Sequence, residues 1–567
     1  YNNLGLTLDK SKQYSEATKN FTRAIVLSPN KGFVMNRAKS FVNNKEYNSA
    51  LEDLDSIEES SVLFRDAEDL KAKVYVAIGK HRDAIPILEN RLKNYDKDKD
   101  YKKKFKKASI YAALNYAYIA GNEEDNDKIK KCMSEFEKEF PNSEELYRIK
   151  AARCFAEKSF EDAIHYYKKA LEITPTLAGP NNDIGICYES LGDMDSSEFY
   201  FRKAIEIDPR HVMANVSLGI IHLKRKEFTK AWQHYEYRLL GTAYQSHKSS
   251  YIFFNPKLPK WDGSNNKSSV VIYGEQGIGD QIILSKLLTK IKNFQNQFTI
   301  VLDRRLLPIF KRSFPETNFN FADEKIGIEG FFDYQAAIFR LGFLFVQNEQ
   351  QIRHPDKYLL ADENNIIENK PSQILPVSPF YVQTGARREV MAEINDDTTS
   401  KKNMSLRCGL SWTSINKSIG DLKTIELNEL IKASSNNDFE YVNLQYEINK
   451  GDLEKEISLA EMNNNIQINR YDNLDKLRDL DGLFSLVNSC DIVITISNVT
   501  AHIAGSLGKK TYLFLPMLRG QFWYWHKYKQ TNTSLWYPSV EIIQSTEPNS
   551  FKGCLEILKN KLKTISS

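Results

Sequence analysis

Residues 160–175, FEDAIHYYKKALEITP, and residues 194–209, MDSSEFYFRKAIEIDP, decide the first half of the fold, because they align at a shift of 34 positions. Ala163, Ser197 and Ala231 share one phase of this period, and Tyr167, Phe201 and Tyr235 share another, four positions later. Pro175 and Pro209 close two of the units, and Gly185 and Gly219 stand where the two helices of a unit would cross. A small residue lets helices approach, an aromatic ring fills the gap beside it, and a proline stops the second helix. A period of this length predicts stacked helix pairs, each covering the apolar face of the next.

Working upstream, Leu4, Gly5, Ala17, Phe21, Ala24 and Pro29 make one well-formed unit. Ala50 and Ala84 anchor two looser ones, and a divergent unit ends at Pro141. The spacing and phase are those of tetratricopeptide repeats. They predict an α-solenoid of about seven units over residues 1–240. Such a stack curves around a concave groove, for which a peptide or protein is the expected partner. A spacer or oligomerisation module is the alternative. The chain opens at Tyr1, already inside a repeat, so any preceding segment is expected to lie outside this sequence.

Working downstream, the period ends after Arg238 and a loop-like stretch carries Pro256, Pro259, Trp261, Asp262 and Gly263. Strands then alternate with helices. Val270–Tyr273 reads as a buried strand, residues 281–292 as an amphipathic helix, Phe298–Leu302 as a strand and residues 306–312 as a helix. A polar segment over 387–405 interrupts the alternation and reads as a linker. The pattern resumes with strands at 408–412, 441–444, 491–496 and 511–515, and helices at 425–433, 480–487 and 501–507. Such alternation predicts parallel sheets. It gives an N-terminal lobe over 241–386 and a C-terminal lobe over 406–567, with a cleft at the carboxyl ends of the strands.

Composition bounds what such a chain does. With 567 residues, it should divide into two to four domains. Hydrophobic residues make up 41% and charged residues 27%, as in ordinary globular proteins, and no apolar run is long enough for a transmembrane helix. The net charge of +4 is spread along the chain, which argues against nucleic acid. The densest basic run, Lys97 to Lys107, reads as a solvated helix face. Cys132, Cys154, Cys187, Cys408, Cys490 and Cys554 are widely spaced and form no CxxC pair. Buried reduced thiols and a cytoplasmic setting are expected, without structural zinc.

Three turns carry the candidate chemistry. Gly274-Glu275-Gln276-Gly277-Ile278-Gly279-Asp280 joins a strand to a helix, where backbone amides and the helix N-terminus favour an anion. Its spacing is neither the dinucleotide fingerprint nor a P-loop. Asp280 is a candidate general base, Glu275 a second, and Gly277 and Gly279 candidates for contact with a donor. The turn from Thr413 through Ser414, Asn416, Lys417 and Ser418 to Lys423 reads as a diphosphate cradle, or as a plain polar loop. Ser497-Asn498-Val499-Thr500-Ala501-His502 follows an apolar strand and reads as a ligand-facing helix start, or as a simple cap with a structural histidine.

Taken in order, these segments resemble the repeat-containing bacterial glycosyltransferases related to the lipopolysaccharide heptosyltransferases (glycosyltransferase family 9-like). The resemblance rests on the 274–280 turn, Gly409-Leu410-Ser411-Trp412, Val442-Asn443-Leu444-Gln445-Tyr446, residues 496–509, Trp523-Tyr524-Trp525 and Trp536-Tyr537-Pro538-Ser539-Val540. It implies a GT-B fold of two Rossmann-like lobes and a metal-independent glycosyltransferase using no cofactor. The nucleotide-sugar is substrate, and a saccharide or protein hydroxyl is the acceptor. By position, the resemblance makes Asp280 the base and Lys423 the basic residue before the first helix of the donor lobe. Thr413, Ser414, Lys417, Ser497, Asn498, Thr500 and His502 would bind the donor, with Gln445 and Tyr446 near the nucleoside. Ser497 and Asn498 stand where heptosyltransferases carry an Asp-Thr pair, so this chain departs from the pattern there. The alternatives are a protein O-linked N-acetylglucosamine transferase-like enzyme, or a non-catalytic repeat scaffold with a degenerate glycosyltransferase domain.

Overall fold

The computed structural model describes residues 1–93, 110–115, 126–240, 258–321, 332–363 and 405–564. Within these, 12, 45, 112, 415–419, 436–438, 447–449, 518–519 and 548–549 are not described. The basic run at 97–107, Lys417 and nearly all of the 387–405 linker lie outside the described residues. The chain divides into two compact units, Tyr1–Ile221 with Gln233–Ser249, and His222–Trp232 with Ser250–Ser567.

The first unit is helical and follows the predicted period. Helices Glu144–Ala156 and Phe160–Ile173 form one pair, and Ala178–Leu191 and Met194–Ile207 the next. The reason for glycine at the crossing is steric. A Cβ at Gly185 would stand 2.6 Å from the Phe201 ring, and one at Gly5 would stand 2.6 Å from Phe21. The same contact thus recurs at both ends of the unit. Ser197 donates to the Gly185 carbonyl at 2.8 Å, which satisfies a hydroxyl buried at a position that elsewhere holds alanine. Helix Ala178–Leu191 ends on Gly192 in the left-handed region, φ +86°, as helix C-termini commonly do.

The second unit holds two sheets, parallel throughout. In the first, β1 (Ser269–Tyr273), β2 (Gln297–Leu302), β3 (Asn318–Phe321) and β4 (Tyr334–Ala337) lie in the order β3-β2-β1-β4. The second comprises β5 (Leu406–Ser411), β6 (Phe439–Asn443), β7 (Ile468–Asn469), β8 (Ile492–Ile496), β9 (Lys510–Leu515) and β10 (Val540–Gln544). Its order is β10-β9-β8-β5-β6-β7. Parallel sheets are covered on both faces, so their strands are apolar without alternation. Every residue of β8 is accordingly buried. Helices Leu427–Ser434 and Lys552–Lys563 pack on one face of this sheet. These features make an α/β domain of two sheet-centred lobes.

The lobes of the second unit are tied by polar contacts. Arg312 holds Asp481 in a bidentate pair at 2.8 and 3.0 Å. Arg305 donates to the Leu477 carbonyl at 2.8 Å, and Lys286 to the Trp536 carbonyl at 2.7 Å. The unit also takes in Trp232, whose indole N–H donates to the Val346 carbonyl at 2.9 Å and whose ring would stand 2.7 Å from a Cβ at Gly342. Among the described residues no helix is long and apolar enough to cross a membrane, and no three His, Cys, Asp or Glu residues gather as a metal site. All six cysteines are free, five of them buried.

Candidate functional site

The turns after β1, β2, β5, β6 and β8 converge on a cleft of about 430 Å³. Each lies at the carboxyl end of its strand, where a parallel sheet leaves room beyond the last hydrogen bond. From the first lobe come Gly277, Gly279, Asp280 and Arg305; from the second, Ser414, Lys423, Tyr446, Lys476, Ser497, Asn498 and His502. Phe522 and Tyr524 add aromatic walls.

The glycine-rich turn owes its composition to space. The left-handed residue in it is Gln276, φ +59°, not one of the glycines. A Cβ at Gly274 would stand 2.6 Å from Gln281 Oε1, the atom that accepts the Asp303 N–H at 3.0 Å. A Cβ at Gly279 would stand 2.6 Å from His502 Cδ2. Asp280 Oδ2 accepts the Gly277 N–H at 3.0 Å, which closes the start of helix Ile278–Ser285. The structure does not bring Glu275 to the cleft. It is fully buried, and its carboxylate accepts the Phe339 N–H at 3.3 Å. Proximity in sequence to the turn was its only claim, and its side chain points into the β1–β4 side of the lobe.

In the second lobe Lys423 is 2% exposed and donates to the Ser497 carbonyl at 3.1 Å. Its ammonium lies 4.8 Å from the centre of the Phe522 ring. No carboxylate among the described residues pairs with it, and burial pulls its pKa down to about 8. Helix Val499–Ser506 begins beside it, capped by Asn498, whose Oδ1 accepts the Ala501 N–H at 3.3 Å. Asn498 Nδ2 donates to Ser411 Oγ at 2.8 Å, so its amide locks β8 to β5. Ser497 Oγ accepts the Trp525 indole N–H at 2.8 Å.

Three other candidates do structural work behind the cleft. Gln445 Oε1 accepts the N–H groups of Trp412 and Thr413, both at 3.0 Å, and so fixes the chain where it leaves β5. Thr413 bonds Thr424 through its hydroxyl at 3.0 Å, and neither residue lines the cleft. Thr500 is fully buried against Ser411. Sequence reasoning missed Arg305 and Lys476, both at the cleft wall. The signal for Arg305 was a pair of arginines just past the end of β2; Lys476 lies in the connection after the two-residue β7, a strand too short to show in the sequence.

A tetratricopeptide-repeat family model matches residues 1–31 and 179–211. The N-terminal solenoid is built of tetratricopeptide repeats. Over 310 residues, 53% of this chain and 48% of the other, the chain is 25% identical to Protein FlbA of Caulobacter vibrioides, so it spans about half the length of that curated relative. Solved structures similar to it include a thermophilic TPR protein of Thermus thermophilus. That match has 16% identity, 34% of this chain, all of the other and a TM-score of 0.29. A tetratricopeptide repeat protein of Parabacteroides merdae matches at 16% identity over 39% of this chain and 82% of the other, TM-score 0.34.

Proposed function

We propose that this chain is a metal-independent glycosyltransferase of GT-B architecture, whose cleft holds a nucleotide-sugar while the repeats recruit a protein acceptor or partner. One observation carries the reading: Lys423 is a buried cation without a carboxylate partner among the described residues, set beside the N-terminus of helix Val499–Ser506 in an open cleft. A buried charge calls for a counter-charge, and a helix N-terminus adds its own preference for an anion. A diphosphate supplies both. The order of the sequence motifs supports the same choice.

In the reaction an acceptor hydroxyl attacks the anomeric carbon and the diphosphate departs with the bonding electrons. Lys423 and the amides from Asn498 onward stabilise the charge that develops on the leaving group, which is the larger catalytic term in such chemistry. Asp280 supplies the negative charge that favours loss of the acceptor's proton. Tyr446 and Phe522 offer flat faces for a base or sugar. Six unpaired thiols accord with a reducing, cytoplasmic setting. Tetratricopeptide repeats point to protein interaction, and a protein acceptor would couple the two units.

Titration calorimetry with nucleoside diphosphates tests this. The wild type should bind one of them, and Lys423→Met should weaken binding at least about tenfold, or 1.4 kcal/mol. No binding, or binding indifferent to Lys423, would sink the reading. One observation favours the scaffold alternative: Ser497 and Asn498 spend their side chains on internal bonds. Release of nucleoside diphosphate from a nucleotide-sugar separates the two.

A further inference from the structure

Lys423 borders the cleft, yet it is only 2% exposed, so its ammonium is covered in the free protein. Three groups touch it. The ammonium donates to the Ser497 carbonyl at 3.1 Å. Gly520, in the left-handed region at φ +84°, lies against the stem, where a Cβ would stand 3.3 Å from Lys423 Cγ. The ring of Phe522 lies over the charged end, its centroid 4.8 Å from the ammonium. Phe522 borders the same cleft, is half-buried, belongs to no helix or strand, and stacks on Tyr524 with centroids 5.3 Å apart.

These covers differ in what can displace them. The Ser497 carbonyl is backbone, held where the chain leaves β8, and its single bond leaves the ammonium two more protons to donate. The Gly520 backbone meets the stem rather than the charge. Phe522 is a side chain that can turn about its own χ angles, and it meets the charge itself. A ring face attracts an ammonium through its quadrupole, more strongly where water is excluded. A phosphate oxygen at contact brings a full charge, and its attraction exceeds that of the ring even at the effective dielectric of a protein surface. A neutral sugar or nucleoside brings no such charge.

We propose that Phe522 is a specificity gate over Lys423: its ring face holds the ammonium in the free protein and turns aside for a phosphate-bearing ligand, not for a neutral one. This rests on the reading of the cleft as a diphosphate site given above. In the free protein the ring keeps a buried charge partnered and dry. When a diphosphate enters, the ammonium exchanges the ring for phosphate oxygens and keeps its bond to the Ser497 carbonyl. The displaced ring face is then open to the sugar or base of the same ligand. Phosphate affinity is accordingly lower than an uncovered Lys423 would give, and Phe522 acts through Lys423 as a positioning residue.

Titration calorimetry of the full chain with inorganic pyrophosphate tests this, because pyrophosphate has no base or sugar to stack on the ring. Phe522→Leu keeps water out and withholds the ring face, so pyrophosphate affinity should rise about 3- to 30-fold over the wild type. Phe522→Tyr restores a ring face and should bring affinity back to within about twofold of the wild type. A packing defect would lower affinity in both variants rather than raise it in one. A 4-fluorophenylalanine label at position 522 reads the ring directly: its fluorine-19 resonance should move with pyrophosphate, stay in place with a nucleoside, and stay in place with pyrophosphate in Lys423→Met. Pyrophosphate affinity unchanged or lowered in a folded Phe522→Leu overturns the gate and leaves the diphosphate reading intact. So does a resonance that a nucleoside moves as far as pyrophosphate does. A wild type and a Phe522→Leu that bind neither pyrophosphate nor any nucleoside diphosphate overturn the diphosphate reading and this proposal with it.

Discussion

Lys286 is a lysine buried to 1% exposure, its ammonium donating to the carbonyls of Trp536 at 2.7 Å and Arg353 at 3.1 Å. Burial, opposed in part by Asp356 and reinforced by Arg353 and Lys290, pulls its pKa from 10.5 to about 7. The unfolded chain therefore holds a proton that the folded protein releases between those values. Stability rises with pH across that window, and the gain is lost as pH falls to about 7. The slope is about 1.4 kcal/mol per pH unit, so from pH 7 to 9 Lys286 adds at most about 2.5 kcal/mol. Replacement by methionine keeps the aliphatic volume and removes the titration. It also leaves the Trp536 carbonyl short of a donor, a cost of about 1–3 kcal/mol. Denaturant unfolding of wild type and Lys286→Met at pH 6, 7, 8 and 9 measures the difference. The wild type should gain on the variant from pH 7 upward and run parallel to it below. Parallel behaviour over the whole range would refute the assignment of a charge-penalised buried lysine.

Other positions give equally direct outcomes. Gly279→Ala places a methyl 2.6 Å from Cδ2 of the buried His502 ring, which must shift, so nucleoside diphosphate affinity and the melting temperature should both fall, the latter by an amount matching about 1–3 kcal/mol; calorimetry and a thermal melt check this. Gly185→Ala drives a methyl into the Phe201 ring and should destabilise the repeats by about 1–3 kcal/mol, read as an earlier helical melting transition by circular dichroism. With Lys423 at about 8, its proton is present below that pH and lost above it, so diphosphate affinity should fall as pH rises from 7 to 9. In Lys423→Met that fall should vanish, as titration calorimetry at three pH values would show.

What the sequence made legible follows from how each element is stabilised. The repeats declare themselves because one steric contact, glycine against an aromatic ring, recurs at a fixed spacing. Strands β1 and β8 were readable because parallel central strands are apolar on both faces. The short β4, Tyr-Gln-Ala-Ala, escaped because its alanines carry little strand preference and its place is set by pairing with β1. Strand β3 alternates asparagine and phenylalanine over four residues at the sheet edge, too short for a period to show. Helix Lys450–Asn464 was hidden by a polar sequence without a clean apolar stripe.

The site divides along the same line. Cleft residues such as Asp280, Lys423 and Asn498 were found because they stand in the turns beyond strand ends. Glu275 and Gln445 occupy equivalent positions in sequence, yet their side chains turn inward to satisfy buried backbone N–H groups. Sequence distance from a strand end places a residue near the cleft, and only the direction of its Cβ decides which side it serves. The Tyr537 hydroxyl that meets His502 Nδ1 at 2.9 Å comes from 35 residues further along the chain, so no local pattern could announce it.

The central claim is that the cleft transfers sugar from a nucleotide donor. Its most direct test is mass spectrometry of a panel of nucleotide-sugars incubated with the purified chain. Release of nucleoside diphosphate from one of them, abolished in Lys423→Met, is the result expected. A panel left intact by a folded wild type would contradict it.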